Sequence, residues 1–297
     1  MKKMFMAVIA LMMTIGASAQ FYIYCSDGNV IKVDSISMTV PTELENPTDN
    51  PSTPSQGIGV FSVSATKQVT FSKGNLQYHS ANNKWRFAPN QITRIGTNNS
   101  NISSSNYDGW LDLFGWSTSA NNFGVNTSSW SDDYSGDFVD WGTNKIGTDV
   151  PNTWRTLTYD EWNYLRWQRP NFSSLIGVAC IDGINGLVFL PDNWTCPSGV
   201  TFKPGFHSND SDEAYRQYQT FSYEQWAKLE AAGAVFLPAA GQRAATKIEV
   251  VDERGYYWSA TEDTSNTAFL ILFSSNTATL FSPHRFRGNS VRLVRDL

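Results

Sequence analysis

Along this chain apolar residues fall into short alternating runs separated by long stretches of Asn, Ser, Gly and Asp. Phe21-Tyr22-Ile23-Tyr24 and Val30-Ile31-Lys32-Val33 flank Ser26-Asp27-Gly28-Asn29. The Asp-Gly pair suits the positive φ of a tight turn, so a hairpin is expected there. A hairpin is marginal alone in water. A new alternating pattern begins with Val60-Phe61-Ser62-Val63-Ser64 and continues with Val69-Thr70-Phe71, as half-buried strands do. From Asn98 to Asp149 no helical period is visible, and the segment reads as loop with short strands. Trp110, Trp116, Trp130 and Trp141 punctuate it. Such residues bury a large apolar area at low entropic cost, so core anchors are expected in preference to a sugar-stacking platform.

Two helices are marked by their starts. Thr158-Tyr159-Asp160-Glu161-Trp162 and Ser222-Tyr223-Glu224-Gln225-Trp226 each place a hydroxyl three residues before Glu or Gln, which is a capping box. Trp162 with Leu165, and Trp226 with Leu229, then share a helix face, and Gly233 suits a C-terminal cap. Asp160 and Glu224 fall in first turns, where a carboxylate favours the helix dipole, so a stabilising role is expected for them. Each helix precedes a similar apolar run, Gly186 to Pro191 and Gly233 to Pro238, as expected of strands buried on both faces. Asp182-Gly183 predicts a turn joining the first of these to a strand over Val178 to Ile181. The predicted class is α+β, with two helices, short strands and long loops.

Residues 1–19 read as a secretory signal: Lys2 and Lys3, an apolar run from Met4 to Ile15, then Ala17-Ser18-Ala19 as the cleavage site. That run is too short for a membrane anchor. The expectation is export from a Gram-negative cell, to the periplasm, the surface or the medium, with no transmembrane segment in the mature chain. Residues 20–40 form the hairpin segment. Pro41, Pro47, Pro51 and Pro54 among Thr, Asn and Ser mark 41–59 as a linker, and 60–297 forms the main domain. The net charge of −5 becomes −7 once Lys2 and Lys3 are removed, which disfavours nucleic acid as a partner. Of Cys25, Cys180 and Cys196, the last two either pair or stay free. Three Cys and three His offer no zinc spacing. No Gly-x-Ser-x-Gly elbow, His-Glu-x-x-His helix or P-loop is present, so neither a metal, a cofactor nor catalysis is expected. Asp132 with Asp133, and Asp252 with Glu253, read as solvated loop pairs.

Trp154-Arg155-Thr156-Leu157 leads into Glu161-Trp162, and Gly255-Tyr256-Tyr257-Trp258-Ser259-Ala260-Thr261 follows later. Arg285, Gly288 and Ser290-Val291-Arg292-Leu293-Val294-Arg295 complete the set. Over roughly residues 58 to 297 the chain resembles C-type-lectin-like domains of the formylglycine-generating, sulfatase-modifying type, in the neighbourhood of the Fibrobacter succinogenes major paralogous domain. The resemblance implies that fold. It does not carry the oxidase activity over, because those enzymes use a C-terminal cysteine pair and no Cys follows Cys196 here. The calcium-dependent sugar-binding signatures of animal C-type lectins are absent as well.

From Asp263 to Leu297 there is no Lys, Glu, Gln, Met or Trp. These are the types that an AAC codon cannot become when only its adenines change. The ending is similar to those of C-type-lectin-like variable proteins of diversity-generating retroelements, in which such mutagenesis scatters residues over one binding face. The resemblance implies a display surface of Asp263, Thr264, Ser265, Asn266, Phe269, Ile271, Asn276, Thr279, Phe281, His284 and Phe286. The fixed frame would be Trp258, Ser259, Thr261, Phe273, Arg285 and Val291. Chance or strand preference remains the competing account of that composition. The expected function is recognition or adhesion toward an extracellular glycan or protein through C-terminal loops. The alternatives are a polysaccharide-acting enzyme with an unrecognised carboxylate pair and a structural envelope or fimbria-associated subunit.

Overall fold

The computed structural model describes residues 59–126 and 132–297, together with the strands of an N-terminal hairpin. The signal segment 1–19, Cys25, nearly all of the linker 41–59, and Trp130 lie outside the described residues. The chain divides into two units, Met1–Thr53 and Pro54–Leu297. In the first, β1 (Phe21–Tyr24) and β2 (Val30–Val33) pair antiparallel, with Phe21 opposite Val33 and Tyr24 opposite Val30.

The second unit opens with β3 (Phe61–Ser62) and β4 (Gln68–Phe71), where Phe61, Val63, Val69 and Phe71 turn inward. β5 (Leu76–His79), β6 (Lys84–Phe87) and β7 (Trp110–Leu111) make a sheet with β5 in the middle. Helix α1 (Tyr159–Asn163) is followed by β8 (Ile176–Ile181) and β9 (Ile184–Phe189). Next come α2 (Asp212–Tyr218), β10 (Thr220–Phe221), α3 (Tyr223–Ala231) and β11 (Val235–Pro238). β8 to β11 form one sheet in the order β10-β8-β9-β11, antiparallel except where β10 runs parallel to β8. A small pair, β12 (Gln242–Ala244) and β13 (Lys247–Glu249), precedes β14 (Gly255–Thr264), β15 (Thr267–Ser274) and β16 (Thr277–Phe281), a three-stranded meander. Finally β17 (Val294–Asp296) returns to pair with β4. The architecture is mixed α+β, with mostly short strands in small open sheets and few helices. Among the described residues no helix is long and apolar enough to cross a membrane.

Both capping boxes form. Thr158 Oγ1 accepts from Glu161 N while Glu161 Oε2 accepts from Thr158 N, and Ser222 with Gln225 repeats the exchange. Trp162, Leu165, Trp226 and Leu229 are all buried, and Gly233 adopts φ of +94° where α3 ends. Two features depart from the expected pair of helices. α2 is a further helix, capped by Ser211, and it buries only Ala214 and Tyr215, too narrow a stripe to register as a period. α1 also continues as a π-turn over Tyr164–Gln168, closed by Arg169 N donating to Tyr164 O at 2.9 Å.

The core has three clusters, and the meander is shared by two of them. Trp116, Trp141, Trp162, Trp226 and Trp258 are fully buried, in keeping with the anchor reading, while Trp110 is only half-buried, with Arg86 3.7 Å above its ring. Cys180 lies buried in β8 and Cys196 is exposed in a loop, and both are free thiols.

Candidate functional site

The C-terminal meander is sandwiched between two cores. Tyr257, Ile271, Phe273 and Ala278 face the cluster holding Phe61, Trp162 and Val178. Their neighbours Tyr256, Trp258, Ala268 and Leu270 face the cluster holding Trp116, Trp141 and Val291. Because side chains alternate across a strand, no face of central β15 is left for solvent. Ile271, expected on the display surface, is therefore a fully buried core residue. Phe286 is likewise buried, stacked on His284 with centroids 5.3 Å apart and flanked by the Arg287 guanidinium. Neither can supply the contact area expected of it.

Beyond the cores the hairpin of β14 and β15 projects outward. Register shifts between Trp258 and Thr264 mark bulges, which bend a strand and increase its twist. Asp263, Thr264, Ser265 and Asn266 are exposed at the tip. The Oγ1 atoms of Thr264 and Thr267 share a 2.7 Å hydrogen bond, and Thr267 and Ser282 both donate to Asp263 Oδ2, at 3.1 and 2.8 Å.

Arg285 holds this tip from below. Its side chain is almost fully buried, yet Nη2 reaches Thr264 O at 2.6 Å and Glu262 Oε2 at 2.8 Å. Nε donates to Thr267 O at 3.3 Å and Nη1 to Tyr134 O at 3.2 Å. The Arg285 amide donates to Asn266 O, and the guanidinium lies 4.5 Å from the centre of the Trp116 ring. One cation thus satisfies carbonyls on both strands of the hairpin and on the loop at Tyr134. Of the residues expected to form the fixed frame, Trp258, Ser259, Phe273 and Val291 are buried in the two cores, and Thr261 is half-buried, its Oγ1 accepting from Tyr159 N.

That loop borders an open cleft of about 500 Å³. Ser103, Ser104, Asn121, Asn122, Asp132 and Asp133 contribute polar groups to it, and Tyr78, Ile102 and Val125 apolar ones. This volume is in the range that small-molecule sites occupy. Of the cleft residues only Asp132 and Asp133 stand out in the sequence, as a solvated loop pair; for the rest the concentration of Ser, Asn and Gly between Asn98 and Asp149 is the available signal.

The remaining expected residues do not form one patch. Phe281, 48% exposed, ends the edge strand β16 next to Ser282 and so flanks the tip, and Thr279 points outward further along it. Phe269 is half-buried against Tyr159, ring centres 4.4 Å apart, and His284 is half-buried beside Thr267. Asn276 lies in the β15–β16 turn, where its Oδ1 accepts from Ser274 Oγ. The length of β15, about 26 Å for its eight residues, separates it from the tip.

The buried carboxylates serve the scaffold. Burial pushes Asp112 up to about 6 even though Asn99 and Ile95 N hydrogen-bond to it. Asp140 is also raised by burial, against the bonds it accepts from Thr156 and Gly142. Glu161 is pushed up by burial but held below the usual carboxylate range overall by Arg155 and the Thr158 amide. Among the described residues no group of three or more His, Cys, Asp and Glu could hold a metal ion. The site offers hydroxyls, amides, the carboxylates of Glu262 and Asp263 at the tip and of Asp132 and Asp133 in the cleft, and one exposed aromatic ring. In comparisons with known proteins, no family model, no curated protein and no solved structure matches this chain.

Proposed function

We propose that the protein is an exported recognition or adhesion module of the C-type-lectin-like type. In this reading it binds an extracellular glycan or protein on the face made by the 263–266 tip, Phe281 and the adjoining cleft, and it is not an enzyme. The observation that carries the reading is Arg285, a buried cation committed to holding an exposed polar tip in one shape. Polar loops on a stiff frame, with an aromatic anchor beside them, are how binding surfaces are commonly built. The commitment of Asp112, Asp140 and Glu161 to backbone and arginine partners supports recognition over acid–base chemistry. The outward-facing polar residues of 263–297 suit a variable surface, and a template repeat with a reverse transcriptase gene beside the locus is the expected companion.

The test is the full chain on glycan and protein arrays, followed by Asp263→Ala, Asn266→Ala and Phe281→Ala. A ligand lost by these variants at unchanged melting temperature is the expected result. Turnover of a polysaccharide, or a ligand that all three variants bind as the parent does, would overturn the reading. The position of β16 at the edge of its sheet, with no further strand beside it among the described residues, favours a second reading, a structural envelope subunit that assembles by strand addition. It expects stable multimers and no soluble ligand.

A further inference from the structure

We propose that Arg166, Trp167 and Phe206 form a second ligand site, which takes an acidic sugar by its carboxylate and stacks the pyranose ring on Trp167. The argument begins with the position of Arg166, four residues after Trp162 on the inward face of the same helical run. It is only 6% exposed as a result. The guanidinium lies over two rings, 3.6 Å from the Trp167 centroid and 5.1 Å from that of Phe206.

Its surroundings differ from those of every other deeply buried arginine. Arg169 donates to Leu190 O, Leu175 O and Asp192. Arg243 donates to Leu113 O and Ala245 O, and Arg292 to Asn75, Gln91 and Phe236 O. Arg285 holds the hairpin tip. Among the described residues the Arg166 side chain has no hydrogen-bond or ion-pair partner, and its buried Nε is among the orphaned donors. Burial alone acts on it and lowers its pKa to about 10. Stacking on the two rings offsets part of that desolvation, but guanidinium donors stay unfilled where a planar, two-oxygen acceptor fits best. In a chain of net charge −5, an uncompensated cation of this kind is a place for an anion.

The geometry around it is built and fixed. The π-turn over Tyr164–Gln168 sets Arg166 and Trp167 side by side, and such turns recur at functional sites. On the facing segment Gly205 adopts φ of +104°, its amide donating to Ile176 O and its carbonyl accepting from Val178 N. A side chain is disfavoured at that φ, so Phe206 is carried on backbone that β8 clamps. Trp167 is 44% exposed and supported from the side by Phe172. The guanidinium covers one face of the indole, and the exposed remainder of that flat ring suits a sugar that carries a carboxylate.

The site uses elements other than the hairpin tip, so the two can be tested apart. The full chain is titrated calorimetrically with oligogalacturonate, with the neutral galactose oligomer, with acetate and with an acidic peptide. Binding of oligogalacturonate alone is expected, weakened at least tenfold by Arg166→Met and by Trp167→Ala, and less by Arg166→Lys. Trp167→Ala should keep the parent melting temperature, which separates loss of the site from loss of the fold. Asp263→Ala and Phe281→Ala should leave uronate affinity unchanged whether or not the tip binds its own ligand. Absence of uronate binding, parent affinity retained in Trp167→Ala or in Arg166→Met, preference for the peptide, or equal binding of acetate would each overturn the proposal.

Discussion

Arg285 and Phe281 sit within a few residues of each other, yet their replacement should have opposite kinds of consequence. Arg285→Met removes the donor to Thr264 O, Thr267 O and Tyr134 O at once. Acceptors left without partners beside the core are costly, and a loss of about 3 kcal/mol is expected in urea denaturation. Amide exchange at residues 264 to 267 should quicken as well, because the Arg285 side chain bridges the two strands at their ends. Phe281→Ala exposes no such debt. Its ring is half in solvent, and the change should stay within about 0.5 kcal/mol. A Phe281→Ala protein that melts many degrees lower would mean the ring is a packing residue, not a contact residue.

At the scale of elements, the capping boxes are the most local devices in the molecule. Thr158→Ala and Ser222→Ala each remove the acceptor for an N3 amide, at a cost of about 1 kcal/mol apiece. The helices insert Trp162 and Trp226 into different clusters, so the double variant should show the sum to within about 0.5 kcal/mol in equilibrium denaturation. A large excess would reveal coupling between the two helices. This locality is also why the helix starts were legible in the sequence. A hydroxyl and a Glu or Gln three apart need no tertiary partner, and the buried strands at Leu187 and Val235 were legible from their unbroken apolar runs. What escaped depends on distant neighbours. The resemblance puts Ile271 on the display surface, and nothing local to the sequence reveals that both sides of β15 are covered. The interior roles of Arg169, Arg243 and Arg292 depend on carbonyls and amides far along the chain, so local composition does not mark them. The tip at Asp263 to Asn266 is implied by the resemblance of the C-terminal segment, whereas its union with the cleft requires the contact from Arg285 to Tyr134.

For the whole molecule, the last strand closes the fold. β17 pairs Val294, Arg295 and Asp296 with Phe71, Thr70 and Val69, while Val294 also exchanges both backbone hydrogen bonds with Arg155. Without it β4 would keep only the two-residue β3 as a neighbour, and Val294 would leave a void beside Phe61 and Phe71 in the largest cluster. Deletion of residues 294–297 is therefore expected to remove upward of about 5 kcal/mol, comparable with the entire stability of many domains. Loss of a cooperative thermal transition by near-ultraviolet circular dichroism is the readout. Two milder changes locate the cause. Asp296 bonds to Arg155 at 2.7 Å but is half-exposed, so Asp296→Asn should cost less than about 1 kcal/mol. Leu297 is 66% exposed, and its removal alone should be nearly silent. If the Asn variant proved as damaging as the deletion, the ion pair to Arg155 and not the strand ladder to β4 would be what holds the last strand in place.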